Sequence, residues 1–404
     1  MNSDPRLRMD IRELLVVIGI IALFIIQVVP AIRETRVGGW RANCQNNMRQ
    51  IALGILAFEN SEGSYPNAGT YLDDPAVHQG DPRKSSIFQV VSDPHGAGGN
   101  PRTHLHSWVV DILPYIDNQE LYNAWNFRVD YLDATQSPDL PSNSMIASTV
   151  IGILRCPQDP TAVIGKGNLS YVANGGFARW PAMPFSWTGS DVDGAPATGP
   201  ILHWTPPGAD WKESQAVGHK LGVMFLGTHT GDQPWDIKTT PKDLTDGAST
   251  TLLVGENTLA GFSDGTSPYS AKRETNWASP LPNFAMFLGS DNICQSGALV
   301  NACLDGQLAP TPEGKDGPGW AKSNLDGTFE NIGFGSTLSL EGSFPFIAGP
   351  HPRGSNFLFC DGSVRYIANT IDGSVYSRIL TPAGETLPGE MRQAPLANGA
   401  DELQ

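Results

Sequence analysis

The feature that most constrains this chain is a nearly unbroken apolar run near its N-terminus, LLVVIGIIALFIIQVVPAI, from Leu14 to Ile32. A helix that is apolar on every face needs lipid or protein around it, and this run is just long enough to cross about 30 Å of hydrocarbon. A cleaved secretory signal would be shorter and would end in small residues, whereas Arg33 and Glu34 follow here. The run therefore predicts a membrane-spanning helix rather than a cleaved leader or a buried core helix. Arginines flank it on both sides, so charge alone does not orient it.

Composition narrows the function classes. The net charge is −15 over 404 residues, so no basic excess exists to neutralise phosphates, and we expect no nucleic-acid partner. The chain contains 44 glycine and 32 proline residues, and this content indicates many turns and long ordered loops rather than disorder.

A second helix is predicted from Trp40 to Asn60, because one face repeats apolar residues at spacings of three and four. That stripe comprises Cys44, Met48, Ile51, Ile55 and Phe58. Gly38-Gly39 precedes it as a candidate kink, and a Gly-Ser-Tyr-Pro cluster ends it. We accordingly divide the chain into an N-terminal tip and transmembrane helix (1–36), an amphipathic helix (37–62), a loop-rich globular domain (63–385) and a polar tail (386–404).

The remainder reads as short strands between turns. Strands are expected over 151–156, 170–173, 221–226, 250–255, 284–288, 357–360 and 363–367, with a long loop over 70–103. Asp361-Gly362 between the last two runs is a strong hairpin signal.

Candidate chemistry is sparse. His104 and His106 would share one face of a strand, but no carboxylate pattern completes a metal site around them. The motifs GxSxG and HExxH are absent, and no Ser-x-x-Lys lies in a supporting context, so we predict neither an enzyme nor a cofactor. Cys294 and Cys303 are close in sequence, and that spacing suits a local disulfide in an oxidising compartment. Sequence does not fix the connectivity of the five cysteines.

The N-terminal string RELLVVIGIIALFIIQVVPAIRE resembles the start of type IV pilins and pseudopilins, in which a glutamate opens the apolar helix and a proline follows seventeen positions later, as Glu13 and Pro30 do. The resemblance implies a cytoplasmic N-terminus, an external domain, and a Glu13 that pairs with a neighbouring subunit's amine. Prepilin processing would cut between Arg8 and Met9. Arg8 stands where the family requires glycine, which should impair cleavage and leaves filament assembly open.

The C-terminal string HPRGSNFLFCDGSVRYI contains His351, nine residues, then Asp361-Gly362. Together with collinear strings between, this resembles the large planctomycete family of pilin-like proteins with an H-X9-DG motif, the domain of unknown function 1559. Those strings are CQNNMRQIALGILAFENSEGSYP, SWVVDILPYIDNQELYNAWNF, LRCPQDP, SYVANGG and TDGASTTLLVGEN. The resemblance implies a pilin-like α+β fold, with the long helix on an antiparallel sheet. It also implies a single pass through the inner membrane, with the main domain periplasmic or extracellular.

The resemblance further implies a disulfide between Cys44 and Cys156. For the C-terminal motif we expect a structural role, in which Asp361-Gly362 makes the turn and His351 and Asn356 hydrogen-bond the backbone of nearby loops. We hypothesise a structural or assembly role, with like subunits or other pilin-like proteins as partners. The alternative is a membrane-tethered module that binds a solute or glycan, for which ten Trp and nine Tyr offer stacking surfaces.

Overall fold

The computed structural model describes residues 10–81, 84–91, 101–135, 138, 140–177, 211–290, 293, 318–328, 330–333, 340–343 and 345–396. The chain divides into two compact units, residues 1–43 and 44–404. The first helix, α1 (Ile11–Glu62), continues through Gly38 and Gly39 without interruption and contributes residues to both units.

In the first unit, α1 carries large apolar side chains that are exposed from Ile11 to Ile26. Among the described residues, no helix has the length and apolar character that crossing a membrane requires. The side chains at 24, 25 and 27–37, Pro30 among them, lie outside the described part of the chain. The predicted membrane crossing therefore stays a prediction.

In the second unit, the amphipathic part of α1 packs as its periodicity predicts. Cys44, Met48, Ile51 and Ile55 are fully buried, and Phe58 is partly buried against the same core. Gly54 lies so close to the core that a Cβ there would be 2.7 Å from Ile116 Cγ2. The predicted amphipathic helix is confirmed.

Short elements follow α1 in the described part of the second unit. The helices after α1 are α2 (Pro75–His78), α3 (Ser86–Val91), α4 (Trp108–Ile112), α5 (Gln119–Ala124), α6 (Asn143–Ala147), α7 (Trp211–Gly218), α8 (Pro282–Ala285) and α9 (Gly373–Leu380). The strands are β1 (Gly69–Tyr71), β2 (His104–Ser107), β3 (Tyr171–Asn174), β4 (Leu226–Thr228), β5 (Leu252–Glu256), β6 (Met286–Phe287), β7 (Gly354–Phe359) and β8 (Val364–Ala368).

The strands form two sheets, ordered β2-β1-β4 and β6-β3-β5-β7-β8. Strand β5 pairs antiparallel with both β3 and β7, and β7 pairs antiparallel with β8. The pairs β1–β4 and β3–β6 are parallel. The fold is therefore α+β as expected, but the expectation of a purely antiparallel sheet is wrong, because long connections return β4 and β6 in the same direction as their neighbours.

Several local predictions are corrected. The expected strand over 151–156 is a single 3₁₀ turn, Gly152–Leu154, and the strand expected at 221–226 begins only at Leu226. The supposed loop over 70–103 contains the helices α2 and α3. Both helices are too short for their periodicity to be visible, and caps such as Asp74, whose side chain accepts the Ala76 N–H, set where they begin.

Candidate functional site

A fully buried carboxylate, Glu256, forms the centre of the candidate site. It ends β5, whose five residues are all buried, so its charge has no access to water. Oε2 accepts the backbone N–H of Asn356 at 2.7 Å, and Oε1 accepts the Asn356 side-chain amide at 3.0 Å. His351 Nε2 lies 3.1 Å from Oε1. Burial of a carboxylate is tolerated only with such partners.

Strand pairing explains how these residues meet. Gly255 in β5 pairs with Phe357 in β7, which brings Asn356 beside Glu256. His351 lies in the turn before β7, where Arg353 adopts a positive φ of 65° and reverses the chain. Because Nε2 faces a carboxylate, this nitrogen carries the proton and donates it. His351 Nδ1 is buried and has no hydrogen-bond partner within the described part of the chain.

The α1 helix closes the cluster from another side. Gln45 donates from Nε2 to Asn356 Oδ1 at 3.0 Å, and its neighbour Cys44 forms a disulfide with Cys156. This is the pairing that the family resemblance implied. Cys156 Sγ lies 4.0 Å from His351 Nε2, so the disulfide borders the carboxylate cluster directly.

The turn that carries Cys156 is held by its own buried hydrogen bonds. The Cys156 N–H donates to Ser170 Oγ at 3.1 Å, and Ser170 Oγ donates to Asp159 Oδ2 at 2.6 Å. Burial raises the pKa of Asp159, against the hydrogen bonds from Ser170 and Thr161 that lower it. These bonds fix the position of Cys156 Sγ relative to β3.

The H-X9-DG motif separates into two places. Asp361-Gly362 makes the β7–β8 turn, with Gly362 at φ 83° and the Ser363 N–H donating to Asp361 Oδ1 at 2.8 Å. Arg365 is 3.9 Å from the same carboxylate. The predicted hairpin is confirmed, but Asp361 does not join the Glu256 cluster, which lies towards the other end of β7.

The expected partners of His351 and Asn356 are wrong. Their side chains bond the carboxylate of Glu256 rather than loop backbone, because β5 places that buried charge beside them. The sequence analysis missed Glu256 and Gln45. The sequence feature that could have indicated Glu256 is a charged residue at the end of the apolar strand LLVGE. A buried carboxylate without partners is strongly destabilising, so this position implies hydrogen-bonding partners elsewhere in the chain.

The other predicted site residues do not join this cluster. His106 Nε2 pairs with Asp111 Oδ1 at 3.0 Å, whereas His104 Nδ1 lies 3.4 Å from Arg273 Nη1, and burial followed by the Arg273 charge lowers the pKa of His104 to about 3. Glu13 is exposed and accepts the Asp10 N–H at 3.2 Å. Arg8, Met9, Cys294 and Cys303 lie outside the described residues. Cys360 is a buried free thiol whose pKa is raised by burial.

A separate surface pocket of about 430 Å³ lies beside α7. Its lining includes Lys212, Lys220, Lys238 and Lys242, together with His219 and Asp243. Burial lowers the pKa of His219, against the charge of Asp243, which raises it. We call this group the lysine pocket.

Comparison with known proteins identifies a protein family for this chain. The family model described as "Protein of unknown function (DUF1559)" matches residues 33–374. No curated protein and no solved structure matches the chain significantly. The match covers most of the chain and includes the Glu256 cluster and both ends of the H-X9-DG motif. The chain therefore belongs to the DUF1559 family.

Proposed function

We propose that this chain is a helix-anchored, pilin-like protein of the cell envelope with a structural or assembly role. In this proposal the first part of α1 crosses the inner membrane once, with its N-terminus in the cytoplasm, and the unit 44–404 lies in the periplasm or outside the cell. One observation carries the proposal: the large apolar side chains of the first part of α1 are exposed on every side of the helix.

Leu14, Leu15, Val16 and Val17 are between 42% and 63% exposed, and four consecutive residues cover the full circumference of a helix. Burying one such side chain gains roughly 1.5–3 kcal/mol, so leaving the whole set in water is strongly unfavourable. Lipid or partner helices would remove this cost. In sequence the run continues to Ile32.

The disulfide supports an external location for the second unit. Disulfides persist in oxidising compartments and are rare in the cytoplasm. Cys44–Cys156 ties α1 to the turn before β3. An assembly role draws further support from Glu13 and Pro30 at their pilin-like spacing, and like subunits are the partners we propose.

Membrane extraction of the full chain tests the anchor. We expect the protein to remain with the membranes after they are washed at alkaline pH. The double variant Ile20→Lys/Leu23→Lys should move largely to the soluble fraction, because each lysine near the centre of a span costs roughly 2.5–3.5 kcal/mol. Leu53→Lys is the matched control: Leu53 lies on the same helix and is 69% exposed, but belongs to the second unit. A wild-type chain in the soluble fraction, or a double variant that stays in the membrane, would refute the anchor.

A specific observation also favours the second candidate, a tethered solute-binding module. Four of the nine lysines in a chain of net charge −15 line one pocket, and its volume falls in the range of small-molecule sites. Lysine ammonium groups bind carboxylate and phosphate oxygens. The chemistry favours an anionic solute over a neutral glycan.

Calorimetric titration with inorganic phosphate and citrate, and with glucose as the neutral comparison, tests this candidate. We expect the anions alone to bind, and binding to weaken at least tenfold in Lys238→Gln/Lys242→Gln. Lys166→Gln provides the control, because Lys166 lies over the Phe262 ring outside the pocket. Equal affinity in both variants, or no binding by either anion, would remove the candidate.

A further inference from the structure

The disulfide and the carboxylate cluster together contain four groups of metal-ligand type. The sulfurs of Cys44 and Cys156, a carboxylate oxygen of Glu256 and a ring nitrogen of His351 all lie within 4.8 Å of one another. All four residues are buried. Within the part of the chain that the structure describes, this is the one such group of three or more.

Two of the separations are already close to those of a tetrahedral zinc site, one slightly short and one slightly long. Bond lengths of about 2.0–2.3 Å to N, O and S place neighbouring ligand atoms about 3.3–3.8 Å apart. His351 Nε2 is 3.1 Å from Glu256 Oε1 and 4.0 Å from Cys156 Sγ. The two sulfurs are bonded to each other. Breaking that bond and letting the sulfurs move apart is the main change that the site requires.

We propose that the reduced chain binds one Zn²⁺ ion through Cys44, Cys156, His351 and Glu256, so that zinc and the disulfide are alternative cross-links between α1 and the rest of its unit. In the first step a dithiol gives two electrons and two protons to the disulfide and becomes a disulfide itself. In the second, Zn²⁺ displaces the two thiol protons. His351 binds through Nε2, so the proton that Nε2 carries in the disulfide form moves to Nδ1.

Buried charge and outer contacts are consistent with this exchange. With a neutral imidazole, the disulfide form carries the single negative charge of Glu256. In the zinc form, two thiolates and the carboxylate against Zn²⁺ also sum to −1. The Asn356 N–H, 2.7 Å from Glu256 Oε2, holds the carboxylate in place while Oε1 meets the metal. Such second contacts orient ligands and tune metal affinity.

Titration of the full chain with Co²⁺ tests the proposal. Charge-transfer absorption shows that thiolates bind the Co²⁺ ion, and its absorption bands in the visible range show whether the coordination is tetrahedral. The titration is done once on the oxidised protein and once on the reduced protein. A phosphine serves as the reductant: it is oxidised to the phosphine oxide, and water supplies the oxygen of the oxide and the two thiol protons. The background variant Cys294→Ser/Cys303→Ser/Cys360→Ser removes the other thiols. We expect one equivalent of Co²⁺ in the reduced form, none in the oxidised form, and displacement by Zn²⁺.

Ligand variants in the same background separate this site from adventitious thiol binding. His351→Gln and Glu256→Gln should each weaken binding at least tenfold and change the visible bands. Asn356→Ala keeps the backbone N–H but removes the side-chain amide that donates to Glu256 Oε1, and it should weaken binding by about 10–100-fold. If His351→Gln and Glu256→Gln bound Co²⁺ as strongly as the background protein, or if the reduced chain took up no Co²⁺, the proposal would be overturned. If reduction unfolds the chain, Zn²⁺ should restore the native circular dichroism. Failure to restore it would count equally against the site.

Discussion

His351 Nε2 lies 3.1 Å from Glu256 Oε1, with the histidine side chain 1% and the glutamate side chain 0% exposed. This contact joins the end of β5 to the turn before β7, and Asn356 and Gln45 extend it to α1. The histidine of the H-X9-DG motif therefore acts on a carboxylate outside the motif. Among the buried side-chain nitrogen and oxygen atoms of these four residues, only His351 Nδ1 has no partner in the described part of the chain, and such pairing makes burial of the carboxylate tolerable.

Replacing Glu256 with glutamine should lower the free energy of unfolding by about 3 kcal/mol, because removing one member of a buried pair leaves its partners unsatisfied. Urea unfolding followed by circular dichroism measures the effect. Glu62→Gln provides the matched control, since Glu62 is exposed at the end of α1 and should change stability by less than about 0.5 kcal/mol. Equal unfolding midpoints for the two variants would contradict the structural importance of the pair.

Loss of the disulfide should destabilise the second unit strongly. The bond closes a separation of 112 residues, for which restriction of the unfolded chain contributes roughly 4–5 kcal/mol. We expect Cys44→Ala/Cys156→Ala to lose about that amount in denaturant unfolding. Cys360→Ala, which removes a buried thiol outside the disulfide, should lose only about 1 kcal/mol. Peptide mapping without reductant that finds Cys44 as a free thiol would disprove the pairing itself.

Gly362→Ala should destabilise the β7–β8 hairpin by about 1–2 kcal/mol, because a φ of 83° is unfavourable for a residue with a side chain. The new Cβ would also approach Leu56 Cδ1 to 3.2 Å. Gly152→Ala is the control, since no atom lies within 4 Å of its Cβ position. Thermal unfolding of both variants measures the difference, and a Gly362→Ala variant as stable as wild type would show that the turn tolerates other dihedrals.

Stability should fall as the pH drops below about 6.5, partly through His104. Burial, followed by the Arg273 charge, lowers the pKa of His104 from 6.5 to about 3, so the unfolded chain binds a proton in this interval that the folded chain does not. This contribution favours unfolding by about 2 kcal/mol between pH 6.5 and 5.

The variant His104→Gln isolates that contribution. It keeps a side-chain acceptor for Arg273 and does not titrate, so its stability should decline less steeply with falling pH. Asp130, whose pKa is raised by burial, is present in both proteins, and its effect cancels in the difference. Urea midpoints at pH 5, 6 and 7 provide the comparison. Parallel pH profiles for variant and wild type would show that His104 is not neutral in the folded chain.

Local patterns predicted the elements that depend on nearby residues. The stripe from Cys44 to Ile55, the strands β5, β7 and β8, and the Asp361-Gly362 turn were all readable from periodicity and turn residues. The shortest elements, such as the four-residue α2 and the three-residue β4, were missed or misplaced because one turn of helix or three strand residues leave no period to detect.

The sequence alone determined the family, the apolar N-terminal run and the helical face that packs in the second unit, because these follow from residue order over short distances. The tertiary structure alone decided which groups hydrogen-bond Glu256 and which lysines share a pocket. Glu256 lies 95 residues from His351 and 100 from Asn356, and Asn356 lies 311 from Gln45. Contacts over such separations depend on which strands pair and how the long connections return, and no local pattern encodes that choice.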